Sequence, residues 1–218
     1  MRILILGPEI NCHDCQEKFG DRHEYRFAGS YAEVSDALSD ADIIFDFQAD
    51  PAFAEVHFDG FQNAIFFNTT KVSLLELTKS VDKNLPRFGF NGMTGFILFP
   101  IFEVCLRDQG MMPALQTIAE SLGTEFCVVD DRVGMVSPRI ICMIINEAFF
   151  TAQEGTASRE DIDLAMKLGT HYPHGPFEWC RRIGIREVYE LLERVHEDTR
   201  DPRYKICTLL KKEYLQSL

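Results

Sequence analysis

The apolar positions of this chain follow one rhythm in its first half and another in its second. Arg2–Leu6 is an unbroken run of Ile and Leu after its first residue, the pattern of a strand buried on both faces. The same reading gives a short strand at Tyr25–Phe27 and further strands at Asp42–Phe47, Ala64–Phe67, Arg87–Phe90, Ile101–Leu106 and Glu125–Val129. Helical stretches separate them at Tyr31–Leu38, Ser73–Ser80 and Met112–Leu122. The last is followed by Gly123, where a helix C-cap favours glycine. Strand–helix alternation predicts a parallel α/β sheet.

From Val133 onward strand patterning stops and helices dominate. Ser137 is placed to cap a helix with Pro138 at its first position, running to Glu154. The first half of that helix, with Ile140, Ile141, Met143, Ile144 and Ile145, is apolar on nearly all sides, which predicts burial all round. Ser158 and Asp161 form an expected capping box for a helix ending near Gly169. Pro173, Gly175 and Pro176 predict a rigid turn into a helix at Phe177–Ile183, with two more at Arg186–Thr199 and Cys207–Gln216. The change of character places a domain boundary near Asp131, giving an α/β domain at 1–131 and an all-helical domain at 132–218. The helix at Pro138–Glu154 carries more large apolar side chains than the short helices after it can cover, so a two-fold dimer through the helical half is expected.

Composition narrows the partners. The formal net charge of the 218 residues is -12 and no Lys/Arg-rich run occurs. Nucleic acid and anionic membrane surfaces are therefore not expected partners, because both need clustered cations. The opening MRILILGPEI is too short an apolar run for a signal peptide, and no stretch is long enough to span a bilayer. Seven cysteines, an odd number without framework spacing, read as reduced thiols of a cytoplasmic protein. Cys12-His13-Asp14-Cys15 is a single C-x-x-C with no second pair, too few ligands for a closed zinc site, so no metal is expected. His171 and His174 flank a proline turn and read as solvated or hydrogen-bonded loop histidines.

The segment Glu160–Trp179, EDIDLAMKLGTHYPHGPFEW, resembles the 3-hydroxyacyl-CoA dehydrogenases, above all in Tyr172-Pro173-His174-Gly175-Pro176-Phe177-Glu178. Asn146-Glu147-Ala148, Glu154-Gly155, Ala157-Ser158 and Asp201-Pro202-Arg203-Tyr204 look like other parts of that family's helical domain. Asn68-Thr69-Thr70 resembles its Asn-Thr-Ser substrate loop, and Arg87–Val104 lies without a gap on the stretch that starts at its catalytic His. The resemblance runs from about Asp40 to near the last residue. It implies a Rossmann-type NAD domain followed by a helical domain that dimerises. The implied reaction belongs to fatty-acid metabolism: oxidation of the 3-hydroxyl of an acyl-CoA with hydride passed to NAD. Such chemistry needs a phosphate-binding loop, a general base and a carboxylate to orient that base.

Position by position, this chain departs from the pattern. Where G-x-G-x-x-G is expected the residues are Gly7-Pro8-Glu9-Ile10-Asn11-Cys12. Only Gly7 remains; Pro8 has no N–H to donate, Glu9 would set a carboxylate beside a pyrophosphate, and Cys12 stands where the third glycine belongs. The stretch reads as an ordinary βα loop, with NAD not expected to bind. The acid that should grip ribose hydroxyls falls on Ala28 and Gly29, and the helical excursion that helps hold CoA in the family has no room before Asp42. The resemblance lays the catalytic His on Asn91, whose amide does not titrate, and the orienting carboxylate on Glu103. Thr70 matches a substrate-loop Ser, or simply caps the next helix; Pro138 stands where the family has an Asn. Several readings stay open: a catalytically degenerate member that binds an acyl-CoA or related thioester, an interaction dimer, a structural partner of an active enzyme, or a dehydrogenase rebuilt around Glu103 or a water as base.

Overall fold

The computed structural model describes residues 1–51, 58 and 60–218. They form two compact units, Met1–Met135 and Val136–Leu218. The division falls a little beyond Asp131 because the intervening residues bind into the first unit. Gly134 donates its N–H to the Thr70 carbonyl at 2.8 Å, and the Thr69 hydroxyl donates to the Met135 sulfur at 3.5 Å.

The first unit is built on a seven-stranded sheet of order β2-β1-β3-β4-β5-β6-β7. Its strands are β1 (Arg2–Leu6), β2 (Glu24–Ala28), β3 (Ile43–Asp46), β4 (Ala64–Asn68), β5 (Arg87–Phe90), β6 (Ile101–Leu106) and β7 (Glu125–Val129). β1 to β5 are parallel, as expected. β6 pairs antiparallel to β5, and β7 runs parallel to β6, so the sheet is mostly rather than wholly parallel. The residues between Phe90 and Ile101 hold only a 3₁₀ turn, Phe96–Leu98, and parallel neighbours need a longer crossover.

Alternate residues of each strand enter different cores. Ile3, Ile5, Phe45, Phe66, Phe88 and Phe90 face one layer; Leu4, Leu6, Ile44, Ile65 and Phe67 face the other. The first layer is aromatic. Phe45 stacks on Phe66 at 5.0 Å between ring centroids, Phe66 lies 4.9 Å from Phe88, and Phe47 meets Phe90 edge-on at 4.9 Å. Helices α1 (Glu9–Phe19) and α4 (Met112–Leu122) cover it, contributing Cys15, Phe19, Leu115 and Leu122. On the other layer sit α2 (Ser35–Leu38) and α3 (Leu74–Leu77). Gly123 takes the left-handed conformation (φ 70°) expected of a C-cap.

Three further expectations for this unit need correction. Glu9–Cys12 is not loop: α1 starts at Glu9, directly after Pro8. The helix expected at Tyr31–Leu38 is split into a 3₁₀ turn, Tyr31–Glu33, and α2. The helix expected at Ser73–Ser80 is only α3, because Thr78 leaves helical geometry at φ -121°.

In the second unit, α5 (Ser137–Gln153) packs with α7 (Pro176–Ile183), α8 (Ile185–Thr199) and α9 (Thr208–Gln216), while α6 (Arg159–Thr170) lies beside α5 and α7. Ser158 caps α6 as expected, accepting the Asp161 N–H at 3.1 Å. Ser137 lies inside α5 rather than capping it, because the helix begins one residue earlier than expected. The expectation that α5 is buried all round is also corrected. Ile141, Cys142, Ile145 and Phe149 are buried, yet Ile140 is 53% exposed, because the other helices cover a single face of α5.

Phe66, fully buried at the centre of the aromatic layer, tests this packing. Phe66→Ala should lower unfolding free energy by about 3–5 kcal/mol in urea titration. A loss under about 1 kcal/mol would show that the layer is not a packed core.

Candidate functional site

In an open parallel sheet, ligands bind beyond the carboxyl ends of the strands where the strand order reverses. Here that point lies between β1 and β3, whose carboxyl ends bring together the turn after β1, the turn after β2, and Asp46 and Phe47. The neighbouring ends of β4 and β5 bring Asn68, Thr70 and Asn91.

The β1 end is closed by its own side chains. Gly7 donates its N–H to the Ala28 carbonyl at 3.1 Å. A Cβ on Gly7 would meet Asn11 Oδ1 and Phe47 Cβ at 2.9 Å each, so close packing keeps glycine at this position. Pro8 occupies the N-cap of α1 without a side-chain cap bond, and the exposed Glu9 brings negative charge to the first turn. Cys12 is half-buried against the aromatic layer, and burial, with Glu9, pushes its thiol pKa up. Burial pushes Cys15 well up also, so neither is an activated nucleophile. At the β2 end, Gly29 N–H is bound by the Glu33 carboxylate at 2.9 Å. These residues do not fit an NAD pyrophosphate and ribose: the Gly7 and Gly29 N–H groups are engaged, Pro8 has no N–H to donate, and Glu9 and Glu33 bring charge of the wrong sign.

Asp46 ends β3 and is fully buried. Its Oδ2 accepts the Tyr31 hydroxyl at 2.7 Å and its Oδ1 the Gln48 N–H at 3.0 Å. Burial pushes its pKa up to about 7, against the lowering effect of those two donors. Reading along the sequence gives no sign of this residue's role, because it lies inside an apolar strand and its partners come from other segments.

Asn68, at the end of β4, is the hub of the next cluster. Its Oδ1 accepts the Thr70 hydroxyl at 2.7 Å, the Thr70 N–H at 3.2 Å and the Gly92 N–H at 3.2 Å. Its Nδ2 donates to the Phe47 carbonyl at 3.2 Å. Gly92 is required there, since a Cβ would lie 2.6 Å from Asn68 Cγ. Thr70 has no exposed surface, so its hydroxyl is turned to Asn68 and not toward a ligand.

Asn91 and Glu103 are brought together by strand register. Phe90 pairs with Val104, which sets Asn91 opposite Glu103, and Asn91 N–H donates to the Glu103 carbonyl at 3.1 Å. Asn91 Nδ2 lies 3.5 Å from Glu103 Oε2, and its Oδ1 accepts the Met93 N–H at 3.3 Å. Asn91 is 3% and Glu103 6% exposed. Pro138 lies in the other compact unit, in the first turn of α5.

Two structural aspartates had no signature along the sequence. Asp131 accepts the Leu74 and Leu75 N–H groups at 2.7 and 2.8 Å, capping α3. Asp163 accepts the Phe177 and Glu178 N–H groups at 2.7 and 3.1 Å, capping α7. His174 is held to Glu178 at 2.9 Å. Among the described residues no group of three or more His, Cys, Asp or Glu side chains is placed to hold a metal ion.

Residues 134–216 match the family described as 3-hydroxyacyl-CoA dehydrogenase, C-terminal domain. The 3-hydroxybutyryl-CoA dehydrogenase of Bradyrhizobium diazoefficiens is 31% identical over 148 residues, 66% of this chain and 50% of that enzyme. The 3-hydroxyadipyl-CoA dehydrogenase of Escherichia coli is 41% identical over 87 residues, 40% of this chain and 18% of that enzyme. The chain thus spans about half the length of most of the curated relatives it matches. The crystal structure of the (S)-3-hydroxybutyryl-CoA dehydrogenase of Ralstonia eutropha superposes with a TM-score of 0.77 over 99% of this chain and 94% of that one. At 19% identity this likeness fixes the fold alone.

Asn68→Ala would strip three donors of their acceptor. At about 1 kcal/mol net per bond, stability should fall by about 2–3 kcal/mol in chemical denaturation. An unchanged midpoint would mean that the hub does not hold the β4 and β5 ends together.

Proposed function

The chain belongs to the 3-hydroxyacyl-CoA dehydrogenase family, and from that premise we propose that it is a non-catalytic member, keeping the fold and an association surface without hydride transfer. Asn91 carries this reading. In the position that the resemblance gives to the base stands an amide, buried and hydrogen-bonded to Met93 N–H and facing Glu103. An amide can hydrogen-bond a carbonyl oxygen but cannot hand over a proton near neutral pH. Losing such a base typically removes about 10²–10⁴ in rate. Glu103 is bound up with Asn91, so it offers no ready substitute. The misfit of the β1 and β2 ends to a dinucleotide supports the same reading, and no step through NAD is derived.

Acetoacetyl-CoA reduction with NADH should therefore run below about 1 per second, the low end of ordinary enzymes. Asn91→His alone should not restore it, because the base would return without a place for the cofactor. Turnover above that rate in the unmodified chain contradicts the proposal.

What remains is binding. An acyl-CoA or related thioester would have to use groups other than the buried Thr70. The net charge of -12 argues against nucleic acid and anionic membranes, and no helix among the described residues is long and apolar enough to cross a membrane. The helical unit favours a second copy of this chain. Between α5 and α6 lies an apolar groove of about 400 Å³, lined by Ile144, Ala148, Ala157, Ile162, Ala165 and Met166. Its three alanines allow another backbone to come close. Ile140, Leu164 and Leu168, exposed by 53%, 53% and 70%, lie on the same two helices. Large apolar side chains this exposed, on the two helices that line an apolar groove, suit an association surface.

Sedimentation velocity at micromolar concentration should give a dimer, shifted to monomer by Leu168→Glu without loss of helical circular dichroism. A monomeric unmodified chain would contradict the association.

A further inference from the structure

Of the asparagines in the chain only Asn91 is followed by glycine. An Asn-Gly step carries its own chemistry. The glycine nitrogen, with no side chain beside it, can close on the preceding carboxamide carbon. That closure forms a bond between Gly92 N and Asn91 Cγ and breaks the Cγ–Nδ2 bond. The Gly92 N–H proton passes, through water, to the leaving nitrogen, which departs as ammonia. Water then opens the cyclic imide at either of its two carbonyls, leaving aspartate or isoaspartate. No oxidant or reductant is needed.

In the folded chain both reacting groups are tied. Gly92 N–H donates to Asn68 Oδ1 at 3.2 Å. The Asn91 carboxamide accepts the Met93 N–H at 3.3 Å, and its Nδ2 lies 3.5 Å from Glu103 Oε2. Asn91 is buried, away from the water that must carry the proton. Gly92 cannot give way to a slower-reacting residue, because a Cβ there would lie 2.6 Å from Asn68 Cγ. Packing on Asn68 thus requires the reactive step, and the Asn68 carboxamide holds it shut.

We propose that Asn91-Gly92 is a self-modification site, held unreacted by the Asn68–Gly92 hydrogen bond and set off when the β4 and β5 ends part. Asn68 acts as a positioning residue for Gly92 N. The change is one-way. An aspartate at position 91 would face Glu103 with a carboxylate in place of an amide donor. An isoaspartate would add a main-chain atom next to the backbone bond from Asn91 N–H to the Glu103 carbonyl. Either product weakens the join of β5 to β6, so the chain records how often this edge has opened. The inference concerns the position of the lost base but does not rest on loss of hydride transfer, and its test uses neither cofactor nor thioester.

The full chain is aged at neutral pH, folded and in urea. Peptide mass spectrometry reads the amide-to-acid mass gain at Asn91, and chromatography separates isoaspartate from aspartate. The folded chain should react at least about tenfold slower than the unfolded one, because reaction waits on local opening. Asn68→Ala should react about fivefold faster than the unmodified folded chain, the worth of one hydrogen bond. Thr70→Val, which loosens the same hub but leaves the Gly92 bond in place, should match the unmodified chain. Circular dichroism reports whether each variant is folded. Hydrogen exchange at Gly92 in the unmodified chain needs no variant: the same opening frees this N–H, so it should be protected by about tenfold or more. Equal rates folded and in urea, or an unprotected Gly92 N–H, overturns the proposal. So does a folded Asn68→Ala no faster than the unmodified chain, or a Thr70→Val as fast as Asn68→Ala. Aspartate without isoaspartate also overturns it, because Gly92 N is then not the nucleophile.

Discussion

Burying a sheet on both faces leaves chemistry only at the strand ends, and in this protein those ends bind themselves. The aromatic layer of Phe19, Phe45, Phe66, Phe88, Phe90 and Phe102 and the mixed apolar layer opposite use up the faces. At the carboxyl edge the polar groups that could meet a ligand already have partners: Asp46 has Tyr31 and Gln48, Asn68 has Thr70 and Gly92, and Asn91 has Glu103. A buried polar group without a partner costs about 1–3 kcal/mol, so a sheet that had lost its ligand would be stabilised by such internal pairs.

That constraint links the separate departures from the family. Replacing one glycine or one base could reflect a changed mechanism. Here Phe47 Cβ lies 2.9 Å from where a Cβ on Gly7 would be, and the Phe47 carbonyl accepts from Asn68, so the β1 and β4 ends share one packing solution. Restoring a single residue leaves the others in place. The helical unit shows the opposite character: its α5–α6 groove is apolar and unfilled by the unit's own side chains.

The sheet was legible because both-face burial writes itself as unbroken Ile and Phe runs, and every expected strand formed within a residue or two. Ser158 and Gly123 were legible because caps are local. α1 was not, because its inward positions are Asn11, Asp14, Cys15 and Phe19, two of them polar, which hides the helical period. Asp131 and Asp163 cap helices far from them in sequence, and Asn68 gathers its donors from two loops. Such roles depend on tertiary proximity. The Asn91–Glu103 pairing followed from the family resemblance, yet its cause is the antiparallel turn of β6, which alternation alone had predicted as parallel. The exposure of Ile140 likewise depends on how many helices pack on α5.

With its carboxyl edge closed to a dinucleotide, the protein should give no saturable heat in titration calorimetry with NADH at concentrations up to about 1 mM, that is, binding weaker than about -4 kcal/mol. A dissociation constant in the micromolar range or tighter, about -8 kcal/mol, would contradict it.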